Sequence, residues 1–250
     1  MIMNTMRGVW EEQMARAGSK RCCCFTLMEL LVVISVIGLL AALLFPTIRA
    51  VDRIKRTSRA RSELAQVESF IESYKSKLGY YPPDNHNPLN GQLLPGLNQL
   101  YYELDGTFLS YSNAFADKDL AAPPLTSRMI SSFFGAGVRG FMNCDRGKSD
   151  EGNPARRFLS SLKPGQLATA TGTNKTTKLT VTAMLLVCTV PGPDPNSPPL
   201  NDGSPALNPW RYNSSAPTNN PNSYDLWVDI FVGGKINRIC NWNSQPLVVY

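Results

Sequence analysis

The sequence predicts an α+β chain in which a long N-terminal helix, apolar in its first half and amphipathic in its second, packs on a small antiparallel β-sheet domain with long loops. Three observations carry this reading. Residues 25–45 read FTLMELLVVISVIGLLAALLF, an almost unbroken apolar run whose single acidic residue is Glu29. Beyond Pro46, apolar residues return at Ala60, Leu64, Val67, Ile71, Tyr74 and Leu78, alternating spacings of four and three that mark one face of a helix. The last third holds short β-branched and apolar runs bounded by Gly, Pro and Asn, the pattern of strands.

Length and charge bound the rest. With the apolar segment set aside, 250 residues leave room for one soluble domain. The net charge of +6 is concentrated around the apolar run, at Arg16, Lys20 and Arg21 before it and Arg49, Arg53, Lys55, Arg56, Arg59 and Arg61 after it. Charge alone gives no nucleic-acid footprint, because the same distribution is as easily a membrane-flanking one, and no nucleic-acid partner is expected.

Residues 1–24 are polar and slightly basic and read as a cytoplasmic leader, since basic residues ahead of an apolar segment hold that end inside. Met1, Met3, Met6 and Met14 each offer a start. An ordinary secretory signal needs a shorter apolar core followed by small residues, yet the run continues through Leu43, Leu44 and Phe45 beyond its only small pair, Ala41-Ala42. An uncleaved helix over 25–46 is therefore expected to span and assemble in the membrane; at about 1.5 Å per residue its apolar run covers roughly 31 Å. Pro46 removes one backbone hydrogen bond and loosens the preceding turn. The amphipathic stalk, 47–78, stops at Gly79, and Tyr80-Tyr81-Pro82-Pro83-Asp84 leaves it as an extended segment.

Residues 79–250 form the exported globular domain. Short helices are expected around 97–104, 127–134 and 155–162. The clearest strand is 179–190 (LTVTAMLLVCTV), and 226–232 and 236–242 form a hairpin across Gly233-Gly234, with a last strand at 246–250. Between them, 191–223 is a long loop rich in Pro, Asn, Ser and Gly. The sheet is expected to pack on the apolar stripe of the stalk.

Catalysis finds little support, and no enzyme is expected. The single histidine, His86, sits in an Asn/Pro turn without partners, and the sequence has no nucleophile set, phosphate loop or paired metal-ligand spacing. Cys22, Cys23 and Cys24 lack metal-ligand spacing and read as small residues beside a membrane. Cys144, Cys188 and Cys240 permit one disulfide in an exported domain, by any of three pairings. Calcium is a candidate ligand of the oxygen-rich set Asp194, Asn196, Asn201, Asp202 and Asp225, although this is not an EF-hand spacing and turn chemistry accounts for the same residues.

Glu29 is the anomaly. A charged group at the bilayer centre costs about 3 kcal/mol on insertion scales, so it should snorkel, relay protons or pair on assembly. A cut just before Phe25 would create an α-ammonium about one helical turn from Glu29. If the Glu29 of an adjacent copy neutralises it, both charges are satisfied only in a polymer.

The stretch Phe25-Thr26-Leu27-Met28-Glu29-Leu30-Leu31-Val32-Val33-Ile34, preceded by Lys20-Arg21, resembles the N-terminal signature of type IV pilins and type II secretion pseudopilins. Gly38, Pro46 and the Gly79-Tyr80-Tyr81-Pro82 exit fit the same pattern. The resemblance implies that a prepilin peptidase cuts between Cys24 and Phe25 and methylates Phe25, and that Glu29 aligns subunits in a filament. The family has glycine before the cut where this chain has Cys24. It further implies a pilin-like fold and a bacterial inner-membrane protein with a cytoplasmic N-terminus. Its partners would be copies of itself, other pilin-like subunits and an inner-membrane assembly platform, with the mature filament in the periplasm or at the cell surface.

A weaker likeness joins Asn208-Pro209-Trp210-Arg211-Tyr212 and Ser223-Tyr224-Asp225-Leu226-Trp227 to the Asp-Pro-Trp-Gly and Tyr-Asp-Leu stretches of major pseudopilins. Those proteins hold calcium in a C-terminal loop, which implies Asp202 and Asp225 as ligands here. Residues 84–178 match nothing in that family, and a specialised binding function is expected there. The expected role is a structural filament subunit. Its rivals are a membrane-anchored binding module that never polymerises and a minor tip subunit.

Overall fold

The computed structural model describes residues 26–85, 96–110, 112–118, 122–147, 154–174, 177–193 and 207–249. The chain divides into two units, Met1–Ile48 and Arg49–Tyr250. One element crosses that division, the helix α1 (Leu27–Leu78), which continues through Pro46. Gly79 terminates it with a left-handed φ of 87°, donating its N–H to the Lys75 carbonyl at 2.8 Å.

Within the second unit, the four/three stripe of α1 is the spine of the core. Ala60, Leu64, Val67, Ile71 and Tyr74 are all buried, with Leu78 packed at the edge of the same cluster. The intervening positions Ser62, Ala65, Ser69 and Ser73 face solvent, so the stalk is stabilised through one face.

A first sheet follows α2 (Leu100–Asp105) and has the order β3-β2-β1-β4. Its strands are β1 (Thr107–Leu109), β2 (Ala114–Asp117), β3 (Leu125–Thr126) and β4 (Cys144–Asp145). The β1–β4 pair is parallel, with Thr107 opposite Cys144; the other pairs are antiparallel. The helix α3 (Ser127–Phe134) starts from Thr126, whose side chain accepts the Met129 N–H. Beneath these elements Phe141 is stacked on Tyr102 at 4.6 Å and edge-on to Phe115 and Phe134. Such pairs contribute about 1 kcal/mol each beyond burial.

The hairpin of β5 (Leu167–Thr173) and β6 (Thr180–Leu186) runs in register from Leu167–Leu186 to Thr173–Thr180. Past its end, Val187 bridges Pro209, Trp210 donates to the Leu186 carbonyl and Cys188 to that of Asn208. These bonds tie the hairpin to the C-terminal meander, ordered β10-β9-β8-β7. The meander comprises β7 (Arg211–Asn213), β8 (Asp225–Val232), β9 (Lys235–Cys240) and β10 (Asn243–Val249). Leu226, Val228, Ile230 and Val232 alternate inward from β8 and join the cluster that contains the stalk stripe. Gly233 and Gly234, at φ 63° and 76°, form the two-residue turn between β8 and β9.

Several expectations change. No helix forms near Ala155, because that stretch spends its backbone on tertiary partners: Phe158 N–H donates to the Leu104 carbonyl at 2.7 Å and Arg156 N–H to Asn143 Oδ1 at 2.9 Å. The helix expected over 97–104 begins at Leu100 and runs to Asp105. In place of a single sheet the domain has a mixed sheet, a hairpin and a meander. The long loop contains β7, and the last strand starts at Asn243, with Pro246 on the edge strand at a register shift where a missing N–H costs no ladder bond.

Candidate functional site

At the start of α1, Thr26 and Glu29 form a reciprocal cap. Glu29 Oε2 accepts from Thr26 N–H at 2.9 Å and from its hydroxyl at 2.8 Å, while Thr26 Oγ1 accepts from Glu29 N–H at 3.2 Å. This is the capping-box arrangement, which satisfies two helix-start donors at once. The carboxylate therefore folds back over the helix start, beside the peptide that follows Phe25. Cys24 and Phe25 themselves lie outside the described residues.

From Leu27 to Leu40 the large apolar side chains are exposed on every face of the helix, from 81 % for Leu27 to 45 % for Val33. The polar groups among them are closed internally: besides Glu29, Ser35 donates its hydroxyl to the Val32 carbonyl at 2.7 Å. A helix apolar all round with no packing face is built to be covered by something else. Among the described residues no helix is long and apolar enough to cross a membrane. Side chains of this segment are described over 26–42, and in sequence the apolar run continues through Phe45.

In the second unit the stalk is locked to its domain by buried carboxylates. Glu63, 1 % exposed, accepts from Thr189 N–H at 2.9 Å, from the Thr189 hydroxyl and from Arg59 Nε at 3.3 Å. Glu103, on α2, is fully buried and accepts from Tyr74 OH at 3.0 Å, Met142 N–H at 2.8 Å and Asn143 N–H at 2.9 Å. Burial raises its carboxyl to about 7, against the opposing pull of those three donors. The stalk exit is clamped in the same manner, since Asp84 Oδ2 accepts from the N–H groups of Ser214 and Ser215, both at 2.8 Å. Tyr212 OH donates to the Pro82 carbonyl at 2.8 Å.

Asp225 organises the loop before β8. Its carboxylate accepts from Thr218 N–H at 2.8 Å, Asn219 N–H at 3.0 Å, Asn219 Nδ2 at 3.0 Å and Asn220 N–H at 2.9 Å. These are N–H donors, whereas a calcium ion takes oxygen ligands. The Asp225 carboxylate is thus engaged by N–H donors, and among the described residues no cluster of acidic, cysteine or histidine residues suited to a metal occurs. Asp202 lies outside them. Cys144, half-buried on β4, Cys188, buried just past the end of β6, and Cys240, buried on β9, stand as free thiols.

Thr26 was legible as the partner of Glu29 through its Thr-x-x-Glu spacing, a capping signal hidden by the apolar run around it. Glu63, Asp84 and Glu103 carry no sequence signal, because what singles them out is burial by segments distant in the chain.

The comparisons with known proteins concern the same end of the molecule. Residues 20–45 match the family model described as the prokaryotic N-terminal methylation motif. No curated protein and no solved structure matches the chain. The chain thus carries the type IV pilin and pseudopilin signature at its N-terminus. That motif supports a pilin-like or pseudopilin structural subunit, processed by a prepilin peptidase and assembled with other pilin-like subunits.

Proposed function

We propose that this chain is a structural subunit of a type IV pilus-like or type II secretion pseudopilus filament. A prepilin peptidase cuts it between Cys24 and Phe25 and methylates Phe25, and it polymerises through its N-terminal helix. Before assembly it is a single-pass inner-membrane protein with a cytoplasmic N-terminus, delivered to the filament by an inner-membrane platform. The observation that carries this reading is the methylation motif lying on a helix whose apolar side chains are exposed all round and whose carboxylate turns back to the helix start.

The chemistry follows from charge. In the uncut chain Glu29 is occupied by its own Thr26. Cleavage adds an α-ammonium at Phe25, and the stronger partner for a carboxylate in an apolar bundle is that cation on a neighbouring copy. Exchange of a capping bond for an ion pair between copies favours the assembled state and fixes the helix register. The exported domain, locked to its stalk by Glu63 and Glu103, then faces outward.

Crosslinking of the chain in native membranes tests this. A ladder of pilin-like multimers is expected, whereas capture of monomers alone, at all crosslinker concentrations, favours an anchored binding module.

A further inference from the structure

We infer that the stalk from Val51 to Arg56, together with the tip of the β8–β9 hairpin, is a docking surface for an anionic lipid bilayer. The inference rests on the membrane-anchored reading above. Two parts of the second unit meet here. Asp52, Arg53 and Arg56 of the stalk line an open cleft of about 380 Å³ with Phe231, Val232, Gly233 and Gly234 of the hairpin. The Arg53 side chain lies along the turn, its Cδ and Nε each 3.6 Å from where a Cβ on Gly233 would stand. Lys235 follows the turn and is exposed.

The surface combines the two features of interfacial binding. Phe231, at the hairpin tip, is 46 % exposed; Val51 and Ile54, 61 % and 65 % exposed, lie on the face of the helix turned away from the cleft. On the cleft face Arg53 and Arg56 are exposed beside Asp52, and the two arginines and Lys235 make no ion pair among the described residues. An exposed aromatic ring beside unpaired cations suits a boundary where acyl chains meet anionic headgroups.

Charge and position select the bilayer over a second copy. The chain carries a net charge of +6, so another copy is a poor source of counter-charge. These residues follow Phe45, the end of the apolar run, by six to eleven positions in sequence. They also stand on the exported side in the proposed topology, against the bias that places Lys and Arg on the cytoplasmic side. Topology does not account for them, whereas an anionic leaflet does.

The test is hydrogen exchange on the full-length chain in nanodiscs of phosphatidylcholine, with and without phosphatidylglycerol. Amides at 231–235 should exchange roughly tenfold more slowly in discs holding about 30 % anionic lipid, and the difference should vanish in about 0.5 M salt. Arg53→Gln combined with Arg56→Gln should abolish it with near-ultraviolet dichroism unchanged, and Lys235→Gln, away from the helix, should weaken it. Equal exchange in both lipids overturns the inference and leaves the anchor reading intact, as does protection that follows protein concentration instead of lipid charge. A chain that fails to insert into the discs overturns both.

Discussion

Glu29 Oε2 lies 2.9 Å from the backbone nitrogen of Thr26 and 2.8 Å from its hydroxyl, so the one carboxylate of the apolar helix is held at the helix start before any partner arrives. Two roles overlap at this residue and substitution separates them. Glu29→Gln retains an oxygen acceptor for the cap and loses the charge; Thr26→Val retains the charge and loses the hydroxyl. Filament yield should fall at least tenfold in Glu29→Gln and Glu29→Ala with membrane insertion unchanged. Thr26→Val should cost only about 1 kcal/mol at the helix start and leave filaments in place. Sheared-filament yield against membrane-fraction yield checks this.

Glu103 sets a pH dependence of the exported domain. Its folded-state carboxyl, near 7 against an ordinary 4.5, binds a proton that the unfolded chain has released. Between those values the folded state holds more protons, so stability falls as pH rises through this window and is flat above it, by up to about 3 kcal/mol. Glu68, raised by burial and by neighbouring Glu72, acts in the same sense. Urea unfolding of the full chain in detergent between pH 4.5 and 8 reads the slope. Glu103→Gln should flatten most of it, and Tyr74→Phe should move it upward by removing a donor to the charged form.

The turn after β6 is tied to the stalk through Glu63. Glu63→Ala leaves the Thr189 N–H without its acceptor and should lower stability by about 2 kcal/mol. Arg59→Ala, which removes only the exposed side of the same ion pair, should cost less than about 1 kcal/mol. The ratio of the two losses, measured by denaturant midpoint, distinguishes a buried hydrogen-bonded latch from a surface ion pair.

For Asp225, the donors around its carboxylate make a specific expectation about calcium. Asp225→Asn should destabilise the domain by about 2 kcal/mol, because several N–H groups lose a charged acceptor. Added calcium should restore none of it, and chelation should leave the thermal midpoint of the parent chain unchanged. A midpoint that rises with calcium would place an ion at this loop.

How much of this was readable beforehand depends on how local each signal is. The stalk stripe from Ala60 to Tyr74, the Gly79 stop, the α3 segment and the hairpin across Gly233-Gly234 follow from periodicity and turn chemistry, which act within a few residues. The strand β5 escaped because LATATGT is small and polar, and it becomes a strand only by pairing with β6. The strand β7 escaped because it lies amid Asn, Pro and Ser and is held from both sides, by β8 and by the link from Trp210 to Leu186. Near Ala155 the helical pattern lost to Asn143 and Leu104, partners that no window on the sequence includes. At the candidate site Glu29 was evident because a charge in an apolar run is conspicuous, whereas Glu63 and Glu103 became evident only from what covers them.

On the proposed reading the chain is cut before Phe25 and assembled through its N-terminal helix. Mass spectrometry of subunits recovered from sheared filaments tests it most directly. The expected product is a chain starting at Phe25, with one methyl group on its α-nitrogen and no peptide from residues 1–24. Filaments whose subunits retain residues 1–24 would contradict it.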